Sequence, residues 1–306
     1  MKIESFGKRL WKDVKKYKSL YFLALPVVIF YILFCYKPMY GVLIAFKDYS
    51  PRLGIWGSEW AGLKHFKAFF DSFYFGRVLR NTLVNSLASI IFGFPAPIIF
   101  ALLLNEIRNS RFKKIVQTIS YMPHFVSLVV VASLIRFFVN GDGIITKFLG
   151  LFGFEQISLL SKASYFVPIY VISGIWQELG WGAIIYLSAL AGVDQQLYEA
   201  AKIDGAGRWK QTIYITLPEI SGTIIIMLLL RIGSIMGVGH EKIILLYNEG
   251  IYETADVISS FVYRRGLVDA KYSFSTAVGL FNSIINFIVV IAFNKLSKKY
   301  TEISLW

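Results

Sequence analysis

Six long apolar stretches constrain this chain more than any other feature of its sequence. They cover about 19–46, 79–104, 115–139, 165–190, 219–240 and 274–294. Each is long enough to cross the hydrocarbon core of a bilayer, which takes about 20 mostly apolar residues in a helix. Hydrophobic residues make up 56% of the chain, more than a typical soluble domain contains. The sequence therefore predicts an all-α, polytopic membrane protein with six transmembrane helices.

Basic residues are distributed unevenly between these stretches. Seven precede the first stretch, and ten more lie in three short segments, 105–114, 191–218 and 295–306. The other three segments, 47–78, 140–164 and 241–273, carry only eleven, although they are longer in total. Because Lys and Arg are enriched in cytoplasmic loops, both termini and the segment 191–218 are predicted to be cytoplasmic. The same bias explains the net charge of +13 without nucleic acid as a partner.

The N-terminal residues 1–18 combine lysines with apolar side chains at helical spacing, namely Leu10, Trp11, Val14 and Tyr17. This pattern predicts an amphipathic helix on the inner membrane surface. The remaining residues, 19–306, are predicted to form a single transmembrane domain.

No motif in the sequence indicates catalysis or metal binding. A phosphate-binding loop, a nucleophile elbow and a paired-carboxylate motif are all missing. The pattern Gly-x-Gly at 141–143 and 237–239 lacks the context of a nucleotide fingerprint. His65, His124 and His240 are scattered, and Cys35 is the single cysteine. We therefore expect no catalytic residue, no metal site and no bound cofactor on this chain.

Polar side chains inside predicted spans are costly and are therefore functional candidates. Glu178 lies near the middle of the fourth span, Arg231 in the fifth, and Asn282 and Asn286 lie four residues apart in the sixth. Aromatic faces beside amide and carboxylate groups suit a sugar, which gives a candidate substrate pathway of Trp176, Gln177, Glu178, Trp181, Arg231 and Asn282. Alternatively, Glu178 and Arg231 satisfy each other or a partner subunit structurally, or belong to a proton-coupled transporter.

The polar segment 199–218 has a more ordered chemistry than a simple connector. Glu199 to Ile203 favours a helix, Asp204-Gly205 breaks it, and Gly207 to Tyr214 can be helical again before Pro218 opens the next apolar span. Glycine at the break permits a sharp turn. Such a helix-turn-helix element can dock into a cleft on a soluble partner.

The same segment resembles the EAA loop of binding-protein-dependent ABC importer permeases. The similarity lies in Glu-Ala-Ala, three residues, Asp-Gly-Ala, and then Ile-x-Leu-Pro, with nine residues between Gly205 and Ile215. In that family the loop forms coupling helices that insert into a cleft of the ATPase subunit. The resemblance implies that Glu199 contacts the ATPase, that small residues allow close helix approach, and that Gly205 permits the turn. The implied coupling residues are Glu199, Ala200, Ala201, Asp204, Gly205, Ala206, Leu217 and Pro218.

The resemblance extends over essentially the whole chain. The six-span layout is similar to the carbohydrate-uptake permeases of the maltose-transporter class. Three motifs look more narrowly like LplB-type polysaccharide and oligosaccharide permeases, at 36–48, 93–106 and 121–125. The implied fold is the type I ABC importer permease fold.

The resemblance also implies the setting in which this chain works. It predicts a multi-pass protein of the bacterial plasma membrane that imports an oligosaccharide by alternating access. The implied partners are a second homologous permease, two ATPase subunits and an extracytoplasmic solute-binding protein. ATP and magnesium would be bound by the ATPase subunits. The open alternatives are an importer of another solute, such as amino acids, phosphate or polyamines, a secondary transporter working alone, and a membrane sensor or scaffold.

Overall fold

The computed structural model describes residues 13–306, so most of the predicted amphipathic segment 1–18, including Leu10 and Trp11, lies outside the described residues. Five helices are long and apolar enough to cross a membrane: Lys18–Phe46, Tyr74–Glu106, Leu128–Gly150, Arg208–Ile232 and Tyr272–Thr301. A sixth long helix, Phe166–Ala191, has 26 residues and matches the fourth predicted span. It is not one of the five, because its polar centre at Gln177 and Glu178 lowers its mean hydropathy. The prediction of an all-α membrane protein is confirmed. The predicted count of six spans is not confirmed exactly, because five helices meet the length and hydropathy required and this sixth long helix is less apolar.

The third predicted span, 115–139, is not one continuous helix. The structure has a helix Ser110–Tyr121, a 3₁₀ turn Met122–Phe125 and a second helix Leu128–Val139. Pro123 has no N–H to continue the helical hydrogen bonds, and the Ser127 side chain caps the new helix by accepting from the Val130 N–H at 3.4 Å. The predicted span therefore consists of two segments with a bend between them.

The fifth predicted span, 219–240, is displaced toward the N-terminus. Its helix begins at Arg208 and runs through Pro218 to Ile232. A π-helical segment, Thr212–Thr216, precedes the proline and accommodates its missing N–H. Residues 233–239 are not helical, so the predicted span, which ended at 240, extends eight residues beyond the end of the helix at Ile232, across a stretch rich in glycine.

Short elements fill the connections on the side predicted to be extracytoplasmic. Two-residue strands, Lys47–Asp48 and Glu59–Trp60, pair antiparallel. The short helices there are Gly54–Gly57, Lys64–Phe70, His240–Leu246, Tyr252–Ala255, Ile258–Tyr263 and the π-helical Arg264–Val268, with 3₁₀ turns at Leu159–Ser161, Ala163–Tyr165 and Glu249–Ile251. On the opposite side lies the helix Gln195–Ile203. The candidate span Leu128–Gly150 is itself broken at 140–143, into the helices Leu128–Val139 and Ile144–Gly150.

A buried carboxylate holds the helices on the side predicted to be extracytoplasmic together. Asp256 is 0% exposed and accepts two hydrogen bonds from the Arg264 guanidinium, at 2.6 and 3.1 Å. Ser260 donates a third at 2.9 Å, and Arg77 from the second long helix lies 3.6 Å away. A buried ion pair with this many partners is costly to disrupt, because removing one partner leaves an uncompensated charge.

The first helix stands apart from the rest of the bundle. Residues 18–40 are all exposed, whereas the 3₁₀ segment Tyr40–Phe46 packs against the last helix. The exposed side chains include many large apolar ones, such as Phe22, Phe30 and Phe34. An apolar surface of this length requires lipid or another protein chain to cover it.

Candidate functional site

The segment 199–218 forms a helix, a turn and the start of a long membrane helix. Asp194 caps the helix Gln195–Ile203 by accepting a hydrogen bond from the Gln196 N–H at 2.9 Å. Gly205 then adopts a φ of +74°, which is costly for a residue with a Cβ. The Gln211 side chain donates to the Ala206 carbonyl at 2.7 Å and closes the turn.

Most of the predicted coupling residues are available to a partner. Glu199, Ala200, Asp204, Gly205 and Pro218 are exposed. Three more are half-buried, namely Ala201, Ala206 and Leu217.

Sequence reasoning missed the apolar side chains of the same loop. Ile203 is 87% exposed, Trp209 80% and Tyr214 75%. Large apolar groups in a polar loop were the available signal, because such a cluster on a surface indicates an interaction site. Together with Glu199, they give the loop an apolar contact surface with a charged residue beside it.

The loop is attached to the second long helix at the Glu106 end of that helix. Arg208 forms an ion pair with Glu106 at 3.1 Å, and Tyr198 and Thr216 share a hydrogen bond of 2.9 Å. These contacts connect the short helix and the long helix Arg208–Ile232 to the end of Pro95–Glu106. A displacement of the loop would therefore be passed mainly to the helix Arg208–Ile232, which continues from the loop, because the Arg208–Glu106 pair is exposed and weak.

A central cavity of about 590 Å³ lies at the other end of the helix Arg208–Ile232. Its walls come from the second long helix, the helix Phe166–Ala191, the end of Arg208–Ile232 and the short helix His240–Leu246. The polar groups that line it include Ser89, Tyr170, Gln177, Glu178, Arg231, Ser234 and Lys242. A volume of this size suits a small ligand or part of a longer one.

The carboxylate of Glu178 is paired with a histidine. His124 Nδ1 lies 3.0 Å from Glu178 Oε2, and the His124 ring stacks on Trp181 with centroids 4.5 Å apart and planes 3° apart. Glu178 therefore does not form the alternative structural pair with Arg231. His124 lies at the bend between Ser110–Tyr121 and Leu128–Val139. No contact of His124 with Glu178 was predicted from the sequence.

Two cationic side chains face the cavity. The guanidinium of Arg231 forms no ion pair with another residue of 13–306. Lys242 is 8% exposed, and its ammonium donates to the Tyr170 carbonyl at 3.4 Å and lies 5.3 Å from the Tyr170 ring centre. Lys242 lies outside the membrane-spanning helices, and burial lowers its pKa to about 8, against an opposing effect of Glu178. The cavity thus offers a bound anion two cations, neither of which forms an ion pair with another residue of 13–306.

Three predicted pathway residues lie elsewhere. Trp176 lines a separate apolar cavity of about 510 Å³, and Trp181 packs on His124. Asn282 borders a third cavity of about 1080 Å³ and donates to the Met236 carbonyl at 3.1 Å. The structure brings together Gln177, Glu178 and Arg231 in one cavity. The other three were misplaced because a position in the middle of a span does not show in which direction the side chain points.

The chain is similar to known membrane transport proteins over most of its length. Residues 93–302 match the model of the family described as "Binding-protein-dependent transport system inner membrane component". The chain is 47% identical to Protein LplB of Bacillus subtilis (strain 168), over 96% of this chain and 92% of that protein. It is 46% identical, over the same shares, to the polygalacturonan/rhamnogalacturonan transport system permease protein YteP of the same organism.

Two solved structures are similar over nearly the whole chain. One is a bacterial ABC transporter involved in the import of the acidic polysaccharide alginate, with 43% identity and a TM-score of 0.88 over 96% of this chain and 99% of the matched chain. The other is a bacterial alginate ABC transporter in complex with an alginate pentasaccharide-bound periplasmic protein. It has 42% identity and a TM-score of 0.89 over 97% of this chain and 100% of the matched chain.

Proposed function

Because the chain belongs to the family of binding-protein-dependent transport system inner membrane components, we propose that it is one of two permease subunits in an ATP-driven importer of acidic oligosaccharides. The observation that carries this proposal is the pair of cations, Arg231 and Lys242, in the central cavity. A uronate carboxylate would form charge-assisted hydrogen bonds with them. Gln177 and Tyr170 would serve the sugar hydroxyls.

The names of the relatives support an acidic substrate. One relative transports polygalacturonan and rhamnogalacturonan, and the matched structures belong to alginate importers. Both are acidic polysaccharides, whose carboxylates lie at regular intervals along the chain. A central site with two cations and one carboxylate, Glu178, which is hydrogen-bonded to His124, favours such a ligand over a neutral sugar.

A second permease subunit would cover the first helix. Residues 18–40 are all exposed, and their aromatic side chains suit packing against another set of spans. The large cavity beside this helix, lined by Met39, Tyr49 and Tyr272, would face the same partner. A binding protein would deliver the oligosaccharide from the extracytoplasmic side.

The coupling loop would transmit the action of two ATPase subunits. Ile203 and Trp209 would fill a groove on the ATPase, and Glu199 would pair with a basic group at its edge. ATP and Mg²⁺ would be bound by those subunits, which supply the energy of transport. The continuous helix Arg208–Ile232, roughly 37 Å long at about 1.5 Å per residue, would carry the displacement to Arg231 in the cavity.

Alternating access would require the coupling loop and the cavity to adopt two states. ATP-driven closure would pull the loop, open the cavity to the binding protein and admit the oligosaccharide. Hydrolysis would release the loop and open the cavity to the cytoplasm. The nucleotide must favour one state over the other for any net transport. The termini and the loop would lie in the cytoplasm, as the basic-residue bias predicts.

The test is charge removal in the complete complex, reconstituted in proteoliposomes with its ATPase, second permease and binding protein. Arg231→Gln should raise the half-saturating concentration for alginate pentasaccharide about tenfold or more, as expected for the loss of a charged hydrogen bond. Arg136→Gln is the matched control, because Arg136 is an exposed arginine in a membrane-spanning helix outside the cavity. Equal uptake by Arg231→Gln and the unchanged protein would refute an acidic ligand at this site.

A further inference from the structure

The long helix from the coupling loop ends inside the protein, between the two cavity cations. The helix stops at Ile232, one residue after Arg231, and residues 233–239 are turns and irregular chain before the helix His240–Leu246 begins. Arg231 and Lys242 therefore lie on opposite sides of one helix break. A break within a membrane-spanning region frees backbone N–H and C=O groups that lipid cannot satisfy.

Asn286 of the last helix satisfies the break at two points. Its side-chain oxygen accepts a hydrogen bond from the Met236 N–H at 3.2 Å, and its amide donates to the Gly233 carbonyl. Asn282, one turn earlier, donates to the Met236 carbonyl at 3.1 Å. Asn286 thus joins both ends of the turn 233–236, as a backbone segment would in a regular helix.

The far end of this turn is fixed to the extracytoplasmic body. Met236 is 1% exposed and packs in a buried cluster with Val78 and Phe261. Two serine hydroxyls donate hydrogen bonds to nearby backbone carbonyls: Ser86 to that of Ile235, and Ser259 to that of Val238. Arg231, in contrast, belongs to the helix that moves with the coupling loop. The turn held by Asn286 is the connection between these two parts.

We propose that Asn286 is a positioning residue that fixes Arg231 relative to Lys242 by clamping this helix break. Asn286 does not line the central cavity, so it acts on the ligand through the turn and Arg231. The inference rests on the proposed function, because a set separation of two cations matters for an anionic ligand. Without the clamp, Gly233 and Met236 lose their partners and the end of the helix loosens.

The experiment is a double-mutant cycle in the reconstituted complex, with alginate pentasaccharide as the probe. Asn286→Ala should raise the half-saturating concentration for uptake about fivefold to tenfold when Arg231 is present. The same substitution in an Arg231→Gln background should change it by less than about twofold, because the group that Asn286 positions is gone. Asn286→Ser retains a hydroxyl for one of the two bonds and replaces the alanine variant if that variant does not assemble.

Asn294→Ala is the matched control. Asn294 is a buried asparagine of the same helix that accepts a hydrogen bond from the Leu305 N–H at 2.8 Å, far from the break. Its loss should leave the half-saturating concentration unchanged. Equal effects of Asn286→Ala in both backgrounds would overturn the inference and leave the proposed function intact. If Arg231→Gln alone changes nothing, the proposed function fails and the inference fails with it.

Discussion

Lys242 gives the central cavity a charge that changes in a mildly alkaline range. Burial lowers its pKa to about 8, because the ammonium is withdrawn from water and Glu178 compensates only in part. A lysine with that pKa is roughly nine-tenths protonated at pH 7 and one-tenth protonated at pH 9. An acidic oligosaccharide that binds the cationic form should therefore need a roughly tenfold higher concentration for half-saturation at pH 9 than at pH 7.

The assay is uptake by the reconstituted complex between pH 7 and pH 9, with alginate pentasaccharide supplied on its binding protein. Lys242→Arg is the control, because a guanidinium stays charged over this range and should remove the part of the pH profile that Lys242 causes. Lys242 loses its positive charge as the pH rises, so uptake by the unchanged protein should decrease at pH values above 8. The same decline in the Lys242→Arg variant would refute the role of Lys242.

Three further substitutions test the coupling loop and the extracytoplasmic ion pair. Gly205→Ala should destabilise the loop by about 1–2 kcal/mol because of the positive φ of Gly205, and should lower uptake per ATP hydrolysed. Gly207→Ala is its control and should not lower it, because Gly207 has a φ of −70° and open space around it. Equal effects of the two substitutions would contradict the role of the turn. Glu199→Lys should separate ATP hydrolysis from uptake in a folded, assembled complex, whereas unchanged uptake would exclude the coupling contact. Arg264→Met should destabilise the protein by about 3–5 kcal/mol, because it leaves the buried Asp256 carboxylate without its main partner. Arg265→Met breaks a pair with the partly exposed Asp269 and should destabilise the protein by about 1 kcal/mol or less. Similar losses of stability for the two variants in thermal unfolding would contradict the argument for the buried pair.

The helical architecture followed from the sequence because apolar length and charge bias are local properties. The break at Asp204-Gly205 was also predictable, since glycine after a helix is a strong local signal. The bend near Pro123 and the end of the fifth helix at Ile232 were not. There the chain stays apolar across the break, and only side chains from other helices, such as Asn286, show where the backbone leaves the helix.

The candidate cavity was predictable only in part. Glu178 and Arg231 stood out because charged groups inside a span are costly. Lys242 did not stand out, because it follows the fifth apolar stretch and was assigned to an outer loop. In the structure, the short helix His240–Leu246 places it at the cavity. The pairing of Glu178 with His124 joins residues 54 positions apart, and no local pattern indicates that contact. The roles of the coupling residues remain predictions.

The most direct test of the account is ATP-dependent accumulation of labelled alginate pentasaccharide in proteoliposomes. These would contain this chain, a second permease and two ATPase subunits, with the binding protein outside and ATP inside. The account predicts accumulation above the external concentration that requires ATP and every component, and that Arg231→Gln greatly reduces at subsaturating ligand. Accumulation by this chain alone, or without ATP, would contradict it.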